Sequence, residues 1–422
     1  MTKSGAAERT EPDQTGMDFE ETPEEQAFRA EVRAWLEARA QRRQPGTDPE
    51  HFYSSNDTSK EADAAHVRAC KVWQRTLYDA GWTGITWPKE FGGRGGAGWQ
   101  QRIFNEEQSR FDVAAGVFAV GIAMAGPTII AWGTEEQQQR FLAPMLQGEH
   151  VWCQLFSEPG AGSDLAGLRT RAVRDGDQWI VNGQQVWTSG AHHSDWGLLL
   201  ARTDLDAPKH KGITAFLLDM HAPGIEVRPL RQINGMAHFN EVFFTDVAVP
   251  DSCRLGPANE GWRVAQTMLA NERAMIGSGG RVGWRDIVTL AQRTGAAGDP
   301  VLRQQLAHSY TRLQLIKWLG WRARSRRDQG LGPEASVLKL AASRRQELDG
   351  NLVMALQGAG GMLYDGDAVA NGYWQQQFLM QWSSRIGGGT EQVQRNVIGE
   401  RVLGLPSEPR PDKNTPFREL PS

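Results

Sequence analysis

Cysteine is scarce in this chain, and its distribution excludes two classes of stabilised fold. The 422 residues contain only Cys70, Cys153 and Cys253. Three cysteines, odd in number and far apart, form neither a disulfide framework nor a metal-binding spacing. We therefore predict reduced, buried thiols in a cytoplasmic protein.

The chain also lacks a strong excess of charge of either sign. Its formal net charge is -4, so nothing predicts nucleic acid or an anionic membrane as the main partner. A hydrophobic content of 40% and a charged content of 23% are ordinary for a soluble globular protein. The length allows two or three domains, or one domain with layered cores.

Signals for secretion and membrane insertion are weak. Residues 1–16 are polar and acidic, so we expect no signal peptide. Residues 114–132 lack charge for long enough to imitate a membrane span, but Pro127 interrupts them and alanine and glycine are frequent. We expect two buried helical pieces there and no membrane partner.

Spacings typical of metal and dinucleotide sites are missing too. His192, His193 and His238 do not have the spacing of a metal-ligand set, so we interpret them as structural or peripheral to a substrate and predict no metal. The glycines at 277–280 and 387–389 follow no predicted strand, so neither run is a Rossmann loop.

The periodicity of the apolar residues divides the chain into three parts. Residues 18–150 are mainly helical, beginning with the capping pattern Thr22-Pro23-Glu24-Glu25. Residues 151–260 contain short β-branched and aromatic runs between turn residues, which favours a small barrel or sandwich. Residues 261–405 return to helical periodicity in long segments, which favours a four-helix bundle. We thus predict an α+β fold with tails at 1–17 and 406–422, the second one extended or disordered.

The individual elements are predicted as follows. Helices are expected at about 100–110, 113–132, 135–147, 261–293, 300–328, 333–358 and 366–402. Strands are expected at 196–202, 212–219, 224–230 and 241–249.

Residues 153–164 are the most informative segment. A short apolar run ends in Ser157, Glu158 and Pro159, then turns through two glycines into Ser163. Glycines permit close backbone approach, and clustered backbone N–H groups form an anion-binding concavity. The segment therefore indicates a site for a flat, phosphorylated ligand.

A second segment follows about twenty residues later, at 178–189. Asn182-Gly183 lies between two β-prone runs, which is a strong hairpin signal. We therefore predict a hairpin whose second strand brings Trp187 and Ser189 beside the first segment.

The two segments together resemble the flavin-binding signature of the acyl-CoA dehydrogenase family, which reads TEPxAGSD followed by WIT or WTS. The resemblance covers about residues 18–404 and includes residues 92–93, 132–137, 246–250 and 389–395. It implies the family's fold of a helical domain, a β domain and a helical bundle, with FAD as the cofactor.

The resemblance also implies residue roles. It places the isoalloxazine ring, the flat redox part of FAD, along Gln154, Phe156 and Ser157, near Gly162 and Ser163, with Trp187 over one face and Ser189 at N5. It implies contacts to the adenosine half, from a neighbouring subunit, by Arg293, Gln357, Gly360, Gly361, Thr390 and Gln392. The family run reads Arg-x-x-Phe-Gly, whereas Thr294-Gly295-Ala296-Ala297 follows Arg293 here, so the phenylalanine and the glycine are missing.

The family reaction needs a carboxylate base for an α-proton. Many relatives place it just before the Gly-Thr of the C-terminal motif, where this chain has Gly388. Isovaleryl- and long-chain-type relatives use a glutamate before an arginine, which matches Glu272-Arg273 here. The resemblance therefore implies Glu272 as the base, with Arg273 and Ser163 near the substrate. A surface ion pair is the alternative interpretation of Glu272.

The function implied by the resemblance is α,β-dehydrogenation of an acyl-CoA to a trans-2-enoyl-CoA, in fatty acid or lipid metabolism such as β-oxidation. Electrons would leave for an electron-transfer flavoprotein, and the protein would form a homotetramer or a mixed tetramer. Two alternatives stay open. One is a flavin oxidase or monooxygenase on the same fold, and the other is a non-catalytic subunit of a mixed tetramer.

Overall fold

The computed structural model describes residues 21–43, 59–276, 283–325, 334–409 and 412–420. The predicted N-terminal tail (1–17) and the glycine run at 277–280 lie outside these residues.

The N-terminal part is helical, as predicted. Its helices are α1 (Pro23–Glu37), α2 (Lys60–Asp79), α3 (Gly98–Gln108), α4 (Gly126–Trp132) and α5 (Glu135–Gln147), with a short pair of strands, β1 (Gln41–Arg42) and β2 (Phe111–Asp112). The capping box of α1 is confirmed, because Glu25 N–H donates to Thr22 Oγ1 at 3.2 Å and Thr22 N–H donates to Glu25 Oε2 at 3.0 Å.

The uncharged stretch at 114–132 is only partly regular helix. A π-helical turn, Gly121–Ala125, runs directly into α4. Pro127 lies in the first turn of α4, directly after the π-helical turn, and the helix continues through it, so it does not separate two helices as predicted. Among the described residues, no helix is both long and apolar enough to cross a membrane.

The central part is one mainly antiparallel sheet. Its strands are β3 (Trp152–Leu155), β4 (Arg171–Asp175), β5 (Gln178–Ser189), β6 (Trp196–Arg202), β7 (Ile213–Asp219), β8 (Ile225–Leu230), β9 (Phe239–Pro250) and β10 (Arg254–Leu255). The order is β10-β7-β6-β4-β5-β9-β8, and β3 pairs with β6 in parallel. Every residue of β6 is buried, which explains its continuous apolar sequence.

The predicted hairpin at Asn182-Gly183 is wrong. The strand β5 runs through both residues with a bulge, and its real hairpin partner is β4, joined by a turn at Gly176. Asn182 is held by Asp246, whose N–H donates to Asn182 Oδ1 at 2.9 Å. A Cβ at Gly183 would come within 2.7 Å of Thr170 Cα, so this glycine permits a close approach rather than a turn.

The C-terminal part is helical and contains α6 (Gly261–Ile276), α7 (Trp284–Arg293), α8 (Pro300–Ser325), α9 (Glu334–Gln357), α10 (Tyr373–Ile386) and α11 (Glu391–Val397). The segment predicted as one helix over 366–402 is interrupted after Ile386 by the glycine run, in which Gly388 and Gly389 adopt positive φ. Leu290, Leu306, Leu352 and Trp374 join α7, α8, α9 and α10 in one core. The predicted α+β fold class is confirmed.

Part of the C-terminal tail is docked rather than free. Phe417 N–H donates to Ala207 O at 3.0 Å, and Arg418 N–H donates to Leu205 O at 3.1 Å. The ring of Phe417 lies 3.8 Å from the guanidinium carbon of Arg202, which is buried. The prediction of an extended or disordered end is therefore wrong for residues 412–420.

Candidate active site

The two predicted motif segments lie side by side. Val186 N–H on β5 donates to Ser157 O, just after β3, at 2.8 Å. Beyond Ser157 the chain closes a tight turn, because Glu158 and Ala161 exchange two backbone hydrogen bonds of 3.0 and 3.1 Å. The adjacency predicted from the sequence thus exists, although a bulged strand produces it instead of a hairpin.

The side chain of Glu158 fixes this turn from the interior of the protein. Its side chain is buried, and its two carboxylate oxygens accept N–H groups from Arg169 and Thr170, each at 2.7 Å. Gln185 Nε2 on β5 donates to the same carboxylate at 3.4 Å. Sequence analysis did not identify this role, since the Glu158 partners lie 11 to 27 positions away.

Several predicted flavin-binding residues in the two segments are exposed. Ser163 and Ser189 are exposed, and a Cβ at Gly162 would meet no atom within 4 Å. Trp187 is 61% exposed and lies at the bulge of β5 with a φ of 62°. Such a backbone conformation costs about 1–3 kcal/mol for a non-glycine residue and is found mainly at functional sites.

Phe156 and Ser157 have different surroundings from the exposed residues. Phe156 is 3% exposed as a whole residue and belongs to the main core, so its ring packs inside the protein. Ser157 is partly buried, and its carbonyl is used by Val186.

The predicted base, Glu272, lies beside the first segment. Gln154 Nε2 on β3 donates to Glu272 Oε2 at 3.5 Å in a partly buried setting. Helix α6 holds this position because Val264, Ala265 and Met268 are fully buried against the sheet. Arg273 follows in α6, but its side chain is outside the part of the chain that the structure describes.

Lys339 on α9 connects the base to the C-terminal glycine run. Its ammonium group donates to Gly389 O at 2.7 Å, and the residue is 4% exposed. Burial lowers the pKa of Lys339, whereas the nearby charges of Glu391 and Glu272 oppose that shift. Lys339 therefore anchors the glycine run at Gly389, a role that sequence analysis did not identify.

The residues predicted for the adenosine half lie on the helical part. Arg293 is exposed at the end of α7, and Thr390 caps α11 by accepting Val393 N–H at 3.2 Å. Gln392 is exposed, and a Cβ at Gly360 would meet nothing within 4 Å.

Gln357 and Gly361 are directed into the bundle instead. Gln357 is buried, donates to Val353 O at 3.0 Å and accepts Gln375 Nε2 at 3.2 Å. Gly361 is also buried and accepts Gln375 Nε2 at 3.4 Å. Hydrogen bonds within the protein therefore occupy the Gln357 amide at both ends.

Comparison with protein families gives matches along nearly the whole chain. Residues 22–149, 153–247 and 259–403 match the models of the N-terminal, middle and C-terminal domains of acyl-CoA dehydrogenases. The acyl-CoA dehydrogenase IpdE1 of Mycobacterium tuberculosis is 38% identical over 90% of this chain and 98% of its own length.

Solved structures show the same relationship. The Tcur3481-Tcur3483 steroid ACAD has a TM-score of 0.79 and 30% identity, covering 93% of this chain and 100% of that chain. The ChsE4-ChsE5 complex from Mycobacterium tuberculosis has a TM-score of 0.76 and 28% identity, with coverage of 93% and 100%.

The role of Glu158 can be tested by Glu158→Gln. The amide cannot accept both backbone N–H groups, and hydrogen bonds to charged groups contribute about 1.5–3 kcal/mol each. We expect the free energy of unfolding to fall by about 1.5–3 kcal/mol in denaturant titrations. The control is Asp164→Asn, because Asp164 is 62% exposed and its ion pair with Lys209 is at the surface. Equal losses in the two variants would contradict the role.

Proposed function

We propose, because this chain belongs to the acyl-CoA dehydrogenase family, that it dehydrogenates an acyl-CoA thioester with Glu272 as the base. As a member of this family it is an FAD-dependent oxidoreductase. The observation that carries the proposal is the position of Glu272, whose carboxylate lies 3.5 Å from Gln154 in the flavin motif segment.

The residues present fit a flavin. The turn at Gly162 has open space where a side chain would stand, and Ser163 and Ser189 are exposed. The indole of Trp187 provides an exposed flat apolar face on the same strand as Ser189. Bound FAD supplies the acceptor for the hydride that leaves the β-carbon of the substrate.

Glu272 would take the proton from the α-carbon, so that the substrate loses a proton to the chain and a hydride to the cofactor. The product is a trans-2-enoyl-CoA. The Glu272 carboxylate is partly buried, and the buried ammonium group of Lys339 lies close enough for the two charges to interact. Gln154, which donates to Glu272, would orient the carboxylate.

The proposed electron acceptor is an electron-transfer flavoprotein. An oxidase or a monooxygenase would pass the electrons to dioxygen instead. A monooxygenase needs no base at the Glu272 position, so a carboxylate next to Gln154 supports α-proton removal over monooxygenation. An oxidase would need the same base, and slow turnover with dioxygen alone distinguishes the dehydrogenase from it.

The chain is proposed to work as an oligomer, either a homotetramer or a mixed tetramer with a homologous chain. Large apolar side chains on the helical part are exposed, among them Trp318 at 50%, Ile386 at 65% and Leu403 at 66%. Such side chains mark protein interfaces when they form a patch. The Phe and Gly that the family has after Arg293 are missing here, which favours a mixed assembly like that of the ChsE4-ChsE5 complex.

The substrate class to test first is the thioesters of steroid acids. This proposal rests on the similarity to the steroid ACAD structure, at 30% identity over nearly the full chain. A panel for anaerobic flavin bleaching would contain straight-chain, branched, aromatic and steroid acyl-CoA thioesters.

The base is tested by Glu272→Gln, measured as anaerobic flavin bleaching by the best acyl-CoA of that panel. The amide is nearly isosteric, so flavin content and ligand binding should persist. General-base catalysis contributes about 10²–10⁴-fold, so the bleaching rate should fall by at least about 100-fold. The matched control is Glu260→Gln, because Glu260 is an exposed carboxylate beside Arg263 just before α6. A wild-type rate in Glu272→Gln would refute the assignment.

Assembly is tested by flavin retention. If the adenosine half is held by a neighbouring chain, we expect the yellow protein to be tetrameric in light scattering and to lose FAD on dissociation. If a homologous chain completes the site, expression alone should give flavin-poor protein and co-expression should restore the flavin. A yellow, monodisperse monomer would contradict both arrangements.

A further inference from the structure

A cluster of two histidines and an aspartate lies next to the flavin-motif strand. Asp63 is in the first turn of α2, and His192 and His193 are in the short turn that follows β5. One ligand atom from each of the three residues lies within 4.8 Å of the others. Sequence analysis predicted no metal because the histidines lack a metal-ligand spacing, and it did not consider Asp63, which lies 129 positions from His192.

The distances in this cluster match one face of a metal tetrahedron. His192 Nε2 lies 2.8 Å from Asp63 Oδ2 and 3.2 Å from His193 Nδ1, and His193 Nδ1 lies 3.6 Å from Asp63 Oδ2. Zinc bound at about 2.0–2.1 Å by nitrogen and oxygen ligands has ligand–ligand edges of about 3.3 Å. Of the three observed distances, 2.8 and 3.2 Å are shorter than that value and 3.6 Å is longer.

The hydrogen bonds of Asn240 fix the tautomer of His192. Asn240 is fully buried, and its amide nitrogen donates to Thr188 O at 2.9 Å and to His238 O at 3.2 Å. The amide oxygen must therefore face His192 Nδ1, which lies 3.0 Å away and donates its proton. This is the outer-shell arrangement typical of metal-bound histidines.

This tautomer directs a lone pair of His192 Nε2 at Asp63 Oδ2, which is also an acceptor. Two acceptors at 2.8 Å require a cation between them. A proton on His192 Nε2 would form a hydrogen bond with Asp63 alone. A metal ion would also be bound by His193 Nδ1, which lies close to both of these atoms.

The backbone of the turn keeps His193 in place. Gly190 has a φ of +66°, and a Cβ there would lie 2.7 Å from His193 Nε2. The histidine side chains are 23% and 20% exposed, and that of Asp63 is 43% exposed, so an ion and a water ligand can enter from solvent.

We propose that Asp63, His192 and His193 bind one Zn²⁺ ion, with water as the fourth ligand. The ion would join α2 to the turn that begins directly after Ser189. It would thereby restrict the movement of the strand that carries Trp187. Two imidazoles and one carboxylate suit zinc and neighbouring first-row dications, and do not suit calcium or magnesium.

The test uses the full-length, untagged protein with its flavin, treated with a chelator and dialysed. Titration calorimetry with Zn²⁺ should give one site per chain, and Co²⁺ should give the intense visible absorption of a four-coordinate ion. His192→Gln and Asp63→Asn should each weaken Zn²⁺ binding by at least about 10-fold, the lower bound for losing even an outer-shell partner.

The matched control is His221→Gln. His221 is a surface histidine, 74% exposed, whose ring lies 3.6 Å from Asp195. Its substitution should leave the stoichiometry and the affinity unchanged. The three cysteines are buried and should not compete for the ion.

Two results would overturn the proposal. One is the absence of stoichiometric Zn²⁺ binding by the wild type. The other is equal affinity in the wild type, His192→Gln and Asp63→Asn, which would leave only an ion pair between Asp63 and His192. Asp63→Asn changes a partly exposed position on α2, so it keeps the test decisive if His192→Gln fails to fold. The readout is metal binding, so it does not depend on the role of Glu272.

Discussion

The buried carboxylate of Glu158 is the interaction on which the candidate site depends. It accepts two backbone N–H groups at 2.7 Å and the side chain of Gln185, and so connects the 153–164 segment to β5. A charged group is costly to bury unless its hydrogen bonds are satisfied, and here they are. The exposed serines, glycines and Trp187 above it are held on a turn whose geometry is fixed from inside the protein.

A second constraint brings the base to this turn. The apolar face of α6 is buried against the sheet, which places Glu272 beside Gln154. From the other side, Lys339 holds the glycine run through Gly389 O and lies close enough to Glu272 for their charges to interact.

Local sequence patterns predicted the helices and strands, whereas contacts between residues far apart in the chain determine the geometry of the site. The capping box of α1 and the strands β6 to β9 follow from nearby residues, so their prediction was accurate. The Asn182-Gly183 pair led to a wrong prediction because hairpin turns and β-bulges favour the same residue types. Only the close approach of Thr170 to Gly183 distinguishes the bulge from a turn here. The roles of Glu158 and Lys339 depend on partners far along the chain, which periodicity cannot reveal. The family resemblance supplied Glu272 and the flavin segment, and the structure brings them together.

The central claim, that Glu272 is positioned to remove the α-proton of a thioester, is tested most directly by hydrogen exchange. The protein is incubated in D₂O with an acyl-CoA analogue that cannot lose its β-hydride, and deuterium at the α-carbon is followed by mass spectrometry. The account predicts exchange by the wild type and none above background with Glu272→Gln. Equal exchange by the two proteins would contradict it, since another group would then be the base.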